Sequence, residues 1–471
     1  FLGVAPHLWR LEDRDGDGAA DHRTSISHGF EVHLGFGGHN MSGLTMGPDG
    51  RLYWGIGDIG MNVVDQTGKR WFYPNQGVIV RCRPDGSDFE VFAAGLRNTH
   101  EFVFDDYGNL ISVDNDGDHP GEMERIVYIV NGSDSGWRIN WQFGKYDDPD
   151  NNDYKVWMDE KLFLPRYEGQ AAYITPPIAN YHSGPAGMKY NPGTALGERW
   201  KDHFFVSEFT GSPARSRIMA FQLRPRGAGF ALAGEREVLK GVLVTGIDFG
   251  PDGALYLADW IEGWVTKDYG RIWKLDDRQA AASPIRRRTQ QLLAADFEKR
   301  PTPKLTALLG HPDQRVRRKA QFALADRGAA GEEALLAAVD TARTRLARIH
   351  ALWGLWQRAQ QDARRAESIQ GLLRDPDPEM RAQAAKVLGD IRYRPAGPSL
   401  LPLLRDEAPR VRFFAAEALG RIEYAPAVQP LIELLAANDD RDVYLRHAGA
   451  LALARIGDAA PLVALADHAS R

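Results

Sequence analysis

The chain has 471 residues, with 58 Lys and Arg against 63 Asp and Glu, and a formal charge of −5 at pH 7. Its hydrophobic share of 43% and aromatic share of 10% are enough for buried cores, which excludes an intrinsically disordered protein. The sequence has no apolar run of about 18 residues and no strong positive charge, which excludes a membrane span and a general nucleic-acid-binding protein. One cysteine, Cys82, excludes an internal disulfide, a multi-cysteine zinc site and a C-x-x-C-H haem attachment.

Charge divides the chain into two parts of different construction. Residues 1–278 hold 28 Lys and Arg against 40 Asp and Glu, whereas residues 279–471 hold 30 against 23. We therefore predict a β domain over 1–278, a connecting segment over 279–303 and a helical domain over 304–471. The chain begins at Phe1 with neither a methionine nor a signal-like segment, as expected of a trimmed N-terminus.

Four segments of the first part share a strand–turn–strand design: 43–58, 101–116, 187–209 and 246–260. Two of them contain the turn G-P-D-G, whose closing Gly50 and Gly253 suit a positive φ. Longer hairpins lie between these segments, so the pattern predicts successive four-stranded units. Such units favour an all-β propeller of the six-bladed type, incomplete at the N-terminus, with four blades and one partial blade. A β-sandwich is the alternative.

The second part repeats with a helical period. Dipeptides ending in Arg317, Arg348, Arg381, Arg412 and Arg446 are 31 to 34 residues apart, which predicts an all-α solenoid of HEAT-like repeats. An acid lies four residues before three of these arginines, at Asp313, Asp377 and Asp442, where it is expected to cap a helix and pair with the Arg. The alternative is a ladder of arginines that binds a polyanion. Solenoids of this kind offer surfaces for protein partners.

Two acidic loops are candidate calcium sites. Asp13, Asp15, Asp17 and Asp21 occupy relative positions 1, 3, 5 and 9 of a glycine-containing loop, a spacing that suits Ca²⁺. Thr24 stands where a complete EF-hand has its bidentate acid, which predicts weak binding or an unoccupied acidic turn. The second loop carries Asp114, Asp116, Asp118 and Glu122 after a strand, and its alternative is a solvated loop.

Several polar residues lie at loop positions next to predicted strands: His39, Arg97 to His100, the acids of 114–122, 137–141 and His182. Equivalent loop ends of successive blades face the same end of a propeller, so we predict one site there. A histidine just before a strand is more often a structural residue than a base, so position alone does not assign catalysis to His39.

Two of these segments carry a family resemblance. The stretches HNMSGLTMGPDGRLYWGIGDIG and GLRNTHEFVFDDYGNL resemble the soluble quinoprotein glucose/sorbosone dehydrogenases, six-bladed propellers that use pyrroloquinoline quinone and calcium. The resemblance covers roughly 30–278. Joined to HEAT-like repeats, the chain is similar to large exported bacterial proteins described as membrane-bound or sorbosone-type dehydrogenases, which implies a periplasmic or otherwise exported location.

The resemblance implies roles for individual residues. His39 matches the base that takes the substrate hydroxyl proton, and Arg97 with Asn98 matches the residues that hold and polarise the cofactor, with His100 beside them. The loop 114–122 matches the region that supplies calcium. At Thr210 and Thr245 the sequence departs from the family, which has a Lys and an Arg there, and Arg215 and Lys267 are the predicted substitutes.

The sequence thus predicts a sugar or polyol dehydrogenase that transfers a hydride from a substrate carbinol to pyrroloquinoline quinone with calcium. An electron-accepting cytochrome is the expected partner of the solenoid, by the same resemblance. The sequence lacks a G-x-G-x-x-G that follows a strand and opens a helix, so a nicotinamide or flavin enzyme has less support. A calcium-dependent lactone hydrolase and a non-catalytic carbohydrate- or protein-binding scaffold remain alternatives.

Overall fold

The computed structural model describes residues 1–33, 38–115, 123–138, 175–265, 267–465 and 468. The chain forms two compact units. The β unit comprises Phe1–Asn191, Ala195–Leu223 and Leu232–Ala281, and the helical unit comprises Pro192–Thr194, Arg224–Ala231 and Ala282–Arg471. Within the described ranges, none of the helices combines the length and hydrophobicity that a membrane span requires.

The strands of the β unit are short, and most alternate with tight turns. Their bounds are β1 Leu2–Val4, β2 His7–Glu12, β3 His22–His28, β4 Ser42–Met46, β5 Leu52–Ile56, β6 Met61–Val64, β7 Arg70–Tyr73, β8 Gly77–Cys82, β9 Glu90–Leu96, β10 Phe102–Phe104, β11 Leu110–Asp114, β12 Glu124–Ile129, β13 Ser133–Asp134, β14 Ala179–Tyr181, β15 Pro185–Tyr190, β16 Phe204–Glu208, β17 Arg217–Arg226, β18 Gly229–Lys240, β19 Val244–Phe249, β20 Leu255–Asp259 and β21 Arg271–Leu275.

These strands form five sheets in chain order and one separate hairpin, β6-β7. The sheets are β1-β2-β3, β13-β9-β8-β5-β4, β10-β11-β12-β14, β15-β16-β17-β18 and β19-β20-β21. The predicted β-propeller is confirmed. The six-bladed type that we predicted is wrong for the described part of the chain, whose strands form five sheets, with the N-terminal strands β1 to β3 as one of them. The count of four blades and one partial N-terminal blade agrees with these five sheets.

The turn between β4 and β5 shows why G-P-D-G recurs. Gly50 closes it at φ 78°, and its N–H donates to the carbonyl of Gly47 at 3.0 Å. The Asp49 carboxylate accepts a hydrogen bond from the Tyr53 hydroxyl at 2.9 Å, which ties the turn to the following strand. Gly253 closes the corresponding turn of the last sheet at φ 80°. The predicted positive φ at both glycines is confirmed, and it is the reason a residue with a Cβ would strain these turns.

Apolar side chains from neighbouring sheets pack together. Tyr53 and Ile79 share a buried cluster with Phe102 and Leu110 of the next sheet along the chain. Cys82 is fully buried in another cluster, and burial raises the pKa of its thiol to about 12. Because a thiol with that pKa stays protonated at neutral pH, Cys82 is a packing residue and not a nucleophile.

The helical unit consists of short helices and single turns. The α-helix α1, Arg278–Ala281, still belongs to the β unit. The α-helices of the helical unit are α2 Pro284–Leu293, α3 Thr302–Leu308, α4 Gln314–Ala325, α5 Gly328–Thr341, α6 Arg345–Gln361, α7 Glu367–Gln370, α8 Pro378–Asp390, α9 Gly397–Leu400, α10 Pro409–Arg421, α11 Val428–Asn438, α12 Val443–Ile456 and α13 Ala460–Val463. Turns of 3-10 helix lie in the β unit at Glu198–Trp200 and Pro213–Arg215, and in the helical unit at Ala363–Ala366, Gly371–Arg374, Arg394–Ala396, Leu401–Arg405 and Ala425–Ala427. The helix α2 lies inside the segment 279–303 that we expected to be a connection.

The acids in the repeat turns cap helices, as predicted. The Asp313 carboxylate accepts the N–H of Arg315 at 3.0 Å, and the Asp377 carboxylate accepts the N–H of Glu379 at 3.0 Å. The Asp442 carboxylate likewise accepts the N–H groups of the first helical turn of α12. Side-chain caps of this kind satisfy N–H groups that have no partner inside the helix.

The predicted pairing of these acids with the Arg four residues later is wrong. Arg317 donates through Nη1 to the carbonyls of His311 and Pro312, both at 2.8 Å, which lie six and five residues earlier. Arg381 and Arg412 make the same pair of bonds to the carbonyls six and five residues before them. These three arginines therefore hold their own turns, and the other two, Arg348 and Arg446, pair with Asp375 and Asp440. These structural roles argue against the polyanion ladder.

Candidate active site

A histidine and an aspartate form a buried pair next to the second sheet. His39 precedes β4, and Asp58 follows β5 by two residues. The two side chains meet between Nδ1 of His39 and Oδ1 of Asp58 at 2.7 Å, with exposed fractions of 4% and 0%. The N–H of Gly57 donates to the His39 carbonyl at 3.0 Å, which fixes the backbone beside the pair. Sequence reasoning missed Asp58, although it is an acid placed just beyond a strand end.

Arg97 and Asn98 are held in place by a second buried acid. Asp114, the last residue of β11, accepts the N–H of Arg97 at 3.1 Å and the N–H of Asn98 at 2.9 Å. Arg125 on β12 lies opposite Asp114 and donates to it through Nη2 at 2.5 Å. We predicted Asp114 as a calcium ligand, but both of its oxygens accept hydrogen bonds from the protein. Its predicted co-ligands Asp116, Asp118 and Glu122 lie outside the described residues.

Asn98 links the parts of this cluster. Its Nδ2 lies 3.1 Å from the carbonyl of Gly38, 3.1 Å from Nε2 of His100 and 3.0 Å from Oδ1 of Asn115. The structure thus brings together His39, Arg97, Asn98 and His100, the four residues that the resemblance placed around the reacting centre. Asn98 is buried, and its Oδ1 has no hydrogen-bond partner in the described part of the chain.

His100 is neutral at physiological pH. Burial, and after it electrostatic repulsion by the nearby His39 and Arg97, lowers the pKa of its imidazole to about 4. The Arg97 guanidinium carbon lies 5.9 Å from the Trp137 ring centroid. Arg97 is therefore the neighbour of His100 that supplies a fixed positive charge to this cluster, whereas His100 is uncharged.

Acidification will destabilise the β unit through His100. The folded-state pKa of His100 lies below the ordinary value of 6.5, so its stabilisation is complete above pH 6.5 and is lost as the pH falls towards 4. The loss is expected to reach about 3 kcal/mol. Denaturant titrations between pH 7 and 4.5 will measure it by tryptophan fluorescence, since ten of the twelve tryptophans lie in residues 1–278. His100→Asn should flatten the pH dependence and the exposed His22→Asn should not; equal slopes in all three proteins would contradict this assignment.

Gly57 is the residue on which His39 and Asn98 converge. A Cβ added there would lie 2.7 Å from the His39 carbonyl oxygen and 2.8 Å from Oδ1 of Asn98. Gly57→Ala is therefore expected to cost about 1–3 kcal/mol by overpacking. The matched control is Gly246→Ala, whose added Cβ would have its nearest neighbour, the Ala258 Cβ, at 4.0 Å. Thermal unfolding of both variants measures the difference, and equal melting temperatures would show that the cluster can relax around the methyl group.

Three of the four predicted carboxylate ligands in the acidic loop 13–21 lie close together. Oxygens of Asp13, Asp15 and Asp21 lie within 4.8 Å of one another on the surface. Backbone N–H groups of Gly16 and Gly18 donate to Asp13 and, as the largest cause, hold its pKa below the usual value. Asp17, the fourth predicted ligand, is not part of this group. Its carboxylate accepts the N–H of Ala19 at 2.7 Å.

Arg215 and Lys267, the predicted substitutes for the missing cations, have no described contact with the residues of the His39 cluster. Arg215 is exposed at the end of the 3-10 helix Pro213–Arg215. Lys267 is exposed, and its ammonium group pairs with Glu262 at 2.5 Å. His182, which we expected at the same end of the propeller, bonds to Glu235 instead.

The chain has similarities to several solved structures. The chain is similar to a crystal structure of glucose dehydrogenase, with 17% identity over 56% of this chain and 71% of that chain, at a TM-score of 0.39. It is also similar to the PQQ-bound aldose sugar dehydrogenase from Streptomyces coelicolor, with 20% identity over 50% and 62% of the chains and a TM-score of 0.33. Part of the chain is similar to the CpcE–CpcF complex of phycocyanin lyase from a Nostoc species, with 22% identity over 36% and 69% of the chains and a TM-score of 0.29. The predicted resemblance to sugar dehydrogenases is confirmed as a similarity.

Comparison with curated protein sequences found no significant match. HEAT repeats match residues 365–454, which confirms the predicted repeat type. A domain of unknown function, DUF7133, matches residues 1–278, more than half of the chain. The chain therefore belongs to the DUF7133 family, with HEAT repeats following the family domain.

Proposed function

We propose that the β unit is a sugar or polyol dehydrogenase of the quinoprotein type, with His39 as its general base. The observation that carries the proposal is the buried bond of 2.7 Å between His39 and Asp58, set beside Arg97 and Asn98. A histidine that is oriented by a carboxylate and adjacent to a fixed cation suits the removal of a hydroxyl proton while negative charge develops nearby.

The Asp58 carboxylate determines which nitrogen of His39 acts. Because a carboxylate accepts, Nδ1 of His39 carries the hydrogen of this bond, and Nε2 is the basic nitrogen of the neutral ring. In the proposed reaction Nε2 takes the proton of the substrate hydroxyl, and Asp58 stabilises the imidazolium that forms. Asp58 is thus a positioning residue, and His39 is the group that touches the substrate.

The residues around His39 fit the quinone that the resemblance implies. Pyrroloquinoline quinone has three carboxylates, so its site must offer cations or a metal ion. Arg97 supplies a buried positive charge, and Oδ1 of Asn98 is a buried oxygen without a partner among the described residues, of the kind that Ca²⁺ binds. When bound, the quinone would supply an acceptor for the substrate hydride. Arg97 and Asn98 would hold it, and His100 would remain an uncharged neighbour.

Reconstitution of the full chain tests the proposal. Titration with pyrroloquinoline quinone is followed by absorbance with and without Ca²⁺, and then sugar-dependent reduction of an artificial electron acceptor is measured. We expect binding at micromolar quinone in the presence of Ca²⁺, and turnover with a sugar or polyol. Hydrolysis of a lactone with the metal alone would contradict the dehydrogenase and favour the calcium-dependent lactone hydrolase. Binding of a glycan without turnover would contradict it and favour the non-catalytic scaffold. A periplasmic location and an electron-accepting cytochrome bound to the helical unit are part of the same proposal.

A further inference from the structure

Three sheets end their second strand in the same way. The last residue of this strand is an acid that lies opposite an Arg on the next strand, in the pairs Asp114–Arg125, Glu208–Arg217 and Asp259–Arg271. In the last two sheets an aromatic residue follows the acid directly, Phe209 after β16 and Trp260 after β20. We call the segments that start at these residues the β16 loop, 209–216, and the β20 loop, 260–265 and 267–270.

Both loops lie at the end of the β unit that carries His39. Glu208 pairs with Pro185 at the start of β15, and Asp259 pairs with Val244 at the start of β19, so each loop leaves its sheet where a first strand begins. His39 precedes the start of β4, which likewise lies beside the end of β5. Because equivalent strand ends of successive sheets in a propeller face the same end, the two loops share a surface with the candidate active site.

Trp264 of the β20 loop is held in place although most of it is exposed. Its ring meets the Phe209 ring edge to face, with 5.0 Å between the centroids, and Phe209 also packs against Trp260 at 6.1 Å. A Cβ added at Gly211 would lie 2.1 Å from Nε1 of Trp264, so the indole lies directly on the glycine backbone. The N–H of Gly263 donates to the Gly211 carbonyl at 3.1 Å and joins the two loops. Trp264 is nevertheless 59% exposed, so an indole fixed on one side offers a flat apolar surface on the other.

Polar groups of the same loop accompany this ring. Glu262, two residues before Trp264, accepts hydrogen bonds from the Tyr269 hydroxyl at 3.1 Å and from the Lys267 ammonium group at 2.5 Å. Glu262, Tyr269 and Lys267 are about half exposed, at 54%, 52% and 46%. The hydrogen bonds from Lys267 and Tyr269 hold the pKa of Glu262 below its usual value, so Glu262 is a carboxylate at neutral pH. These exposed donors and acceptors can bond to the hydroxyls of a ligand from solvent.

The charges of this surface are balanced. Glu262 pairs with Lys267, and Asp259 lies 3.7 Å from Arg271 at the base of the β20 loop. The segment 259–271 carries three acids and two basic residues in all, so neither a polyanion nor a polycation finds a complementary field here. A neutral saccharide combines a ring face of C–H groups with hydroxyls at the ring edge. That combination complements an exposed indole accompanied by paired polar groups.

We propose that the β16 and β20 loops form a binding platform for a neutral saccharide chain. Trp264 stacks on the face of a pyranose ring, and Glu262 and Tyr269 bond to hydroxyls of the chain. Because the platform lies at the end of the β unit that carries His39, it would hold the chain on the same surface as the candidate active site. The binding does not depend on the dehydrogenase reaction and uses none of the residues around His39.

Calorimetric titration of the full chain with cellohexaose, without quinone, tests the platform. We expect Trp264→Ala to weaken cellohexaose binding at least tenfold, because the stacking surface is lost. Glu262→Gln and Tyr269→Phe should each weaken it several-fold. The matched control is Phe72→Ala, which removes an aromatic side chain of β7 that is 52% exposed and lies outside the two loops, and which should leave binding unchanged. Hexagalacturonate is the anionic probe and should bind at least tenfold more weakly than cellohexaose.

Four results would overturn the platform. They are no cellohexaose binding at millimolar concentration, equal affinities of Trp264→Ala and Phe72→Ala, tighter binding of hexagalacturonate, and a dimer in analytical ultracentrifugation that Trp264→Ala abolishes, since a second copy would then cover the ring. Circular dichroism establishes whether Trp264→Ala folds, and if it does not, the exposed Glu262→Gln decides alone. None of these titrations requires quinone or turnover, so failure here is separable from failure of the proposed dehydrogenase.

Discussion

Replacing Arg125 with methionine is expected to lower the free energy of unfolding by about 3–5 kcal/mol. The guanidinium of Arg125 is 1% exposed and donates to Oδ2 of Asp114 and to the carbonyl of Asn115. Methionine preserves much of the volume but leaves the fully buried Asp114 without its cation. The same carboxylate holds the backbone of Arg97 and Asn98, so the loss should spread to the candidate site. Urea unfolding followed by tryptophan fluorescence measures the change.

The matched control for Arg125 is Arg271→Met. Arg271 occupies the same place opposite Asp259, but its side chain is 49% exposed and its nitrogen lies 3.7 Å from the carboxylate. An exposed pair contributes at most about 1 kcal/mol, so this variant should be nearly as stable as the parent. Adding Asp114→Asn to Arg125→Met should recover part of the loss, because no buried charge is then unpaired. Similar losses in the two Arg variants would show that burial of the pair is not what matters.

His39→Gln is expected to lower kcat of the reconstituted enzyme by about 10²–10⁴, the usual contribution of a general base. Glutamine can keep a hydrogen bond to Asp58 but cannot take up a proton at neutral pH. Asp58→Asn should produce a smaller loss, since the imidazole remains and only its orientation and charge stabilisation are weakened. Steady-state kinetics at saturating sugar, with quinone binding measured separately by absorbance, distinguish lost catalysis from lost cofactor.

His203→Gln is the control for this experiment. His203 is also a buried histidine just before a strand, and its Nδ1 bonds to the carbonyl of Lys201 at 2.9 Å. His203 is a structural histidine, so its replacement should change stability more than kcat. If His39→Gln turns over sugar within tenfold of the parent, another group takes the proton and the proposed base is wrong.

The sequence carried enough information for the propeller and the repeats. The G-P-D-G turns constrain φ and the strand ends locally, and the Arg spacing follows helical geometry, so both could be predicted from neighbours in the chain. The number of blades in the complete ring could not be predicted in this way, because it depends on how many strands assemble and not on any single motif. Arg381 illustrates a similar limit. Its spacing was predicted but its partner was not, because its guanidinium bonds to carbonyls of its own turn and to the carboxylate of Asp406, 25 residues later, and the repeat spacing does not show how far a long side chain reaches.

Some residues of the candidate site could likewise be predicted from the sequence, and others could not. His39 and Arg97 could be placed together because equivalent loops of successive sheets meet at one end. Asp58 and Arg125 could not be found without strand register, since each acts through a partner at least eleven residues away in sequence.

The recurring acid–arginine pairs also bear on how such proteins diversify. The Asp114–Arg125 pair is buried, the Arg217 side chain of the Glu208–Arg217 pair is 31% exposed, and the Arg271 side chain of the Asp259–Arg271 pair is 49% exposed. A substitution at one of these pairs would change the electrostatic potential of its own sheet, because the neighbouring sheets keep their own ion pairs. Ligand preference can therefore change at one sheet while the ion pairs of the other sheets are retained.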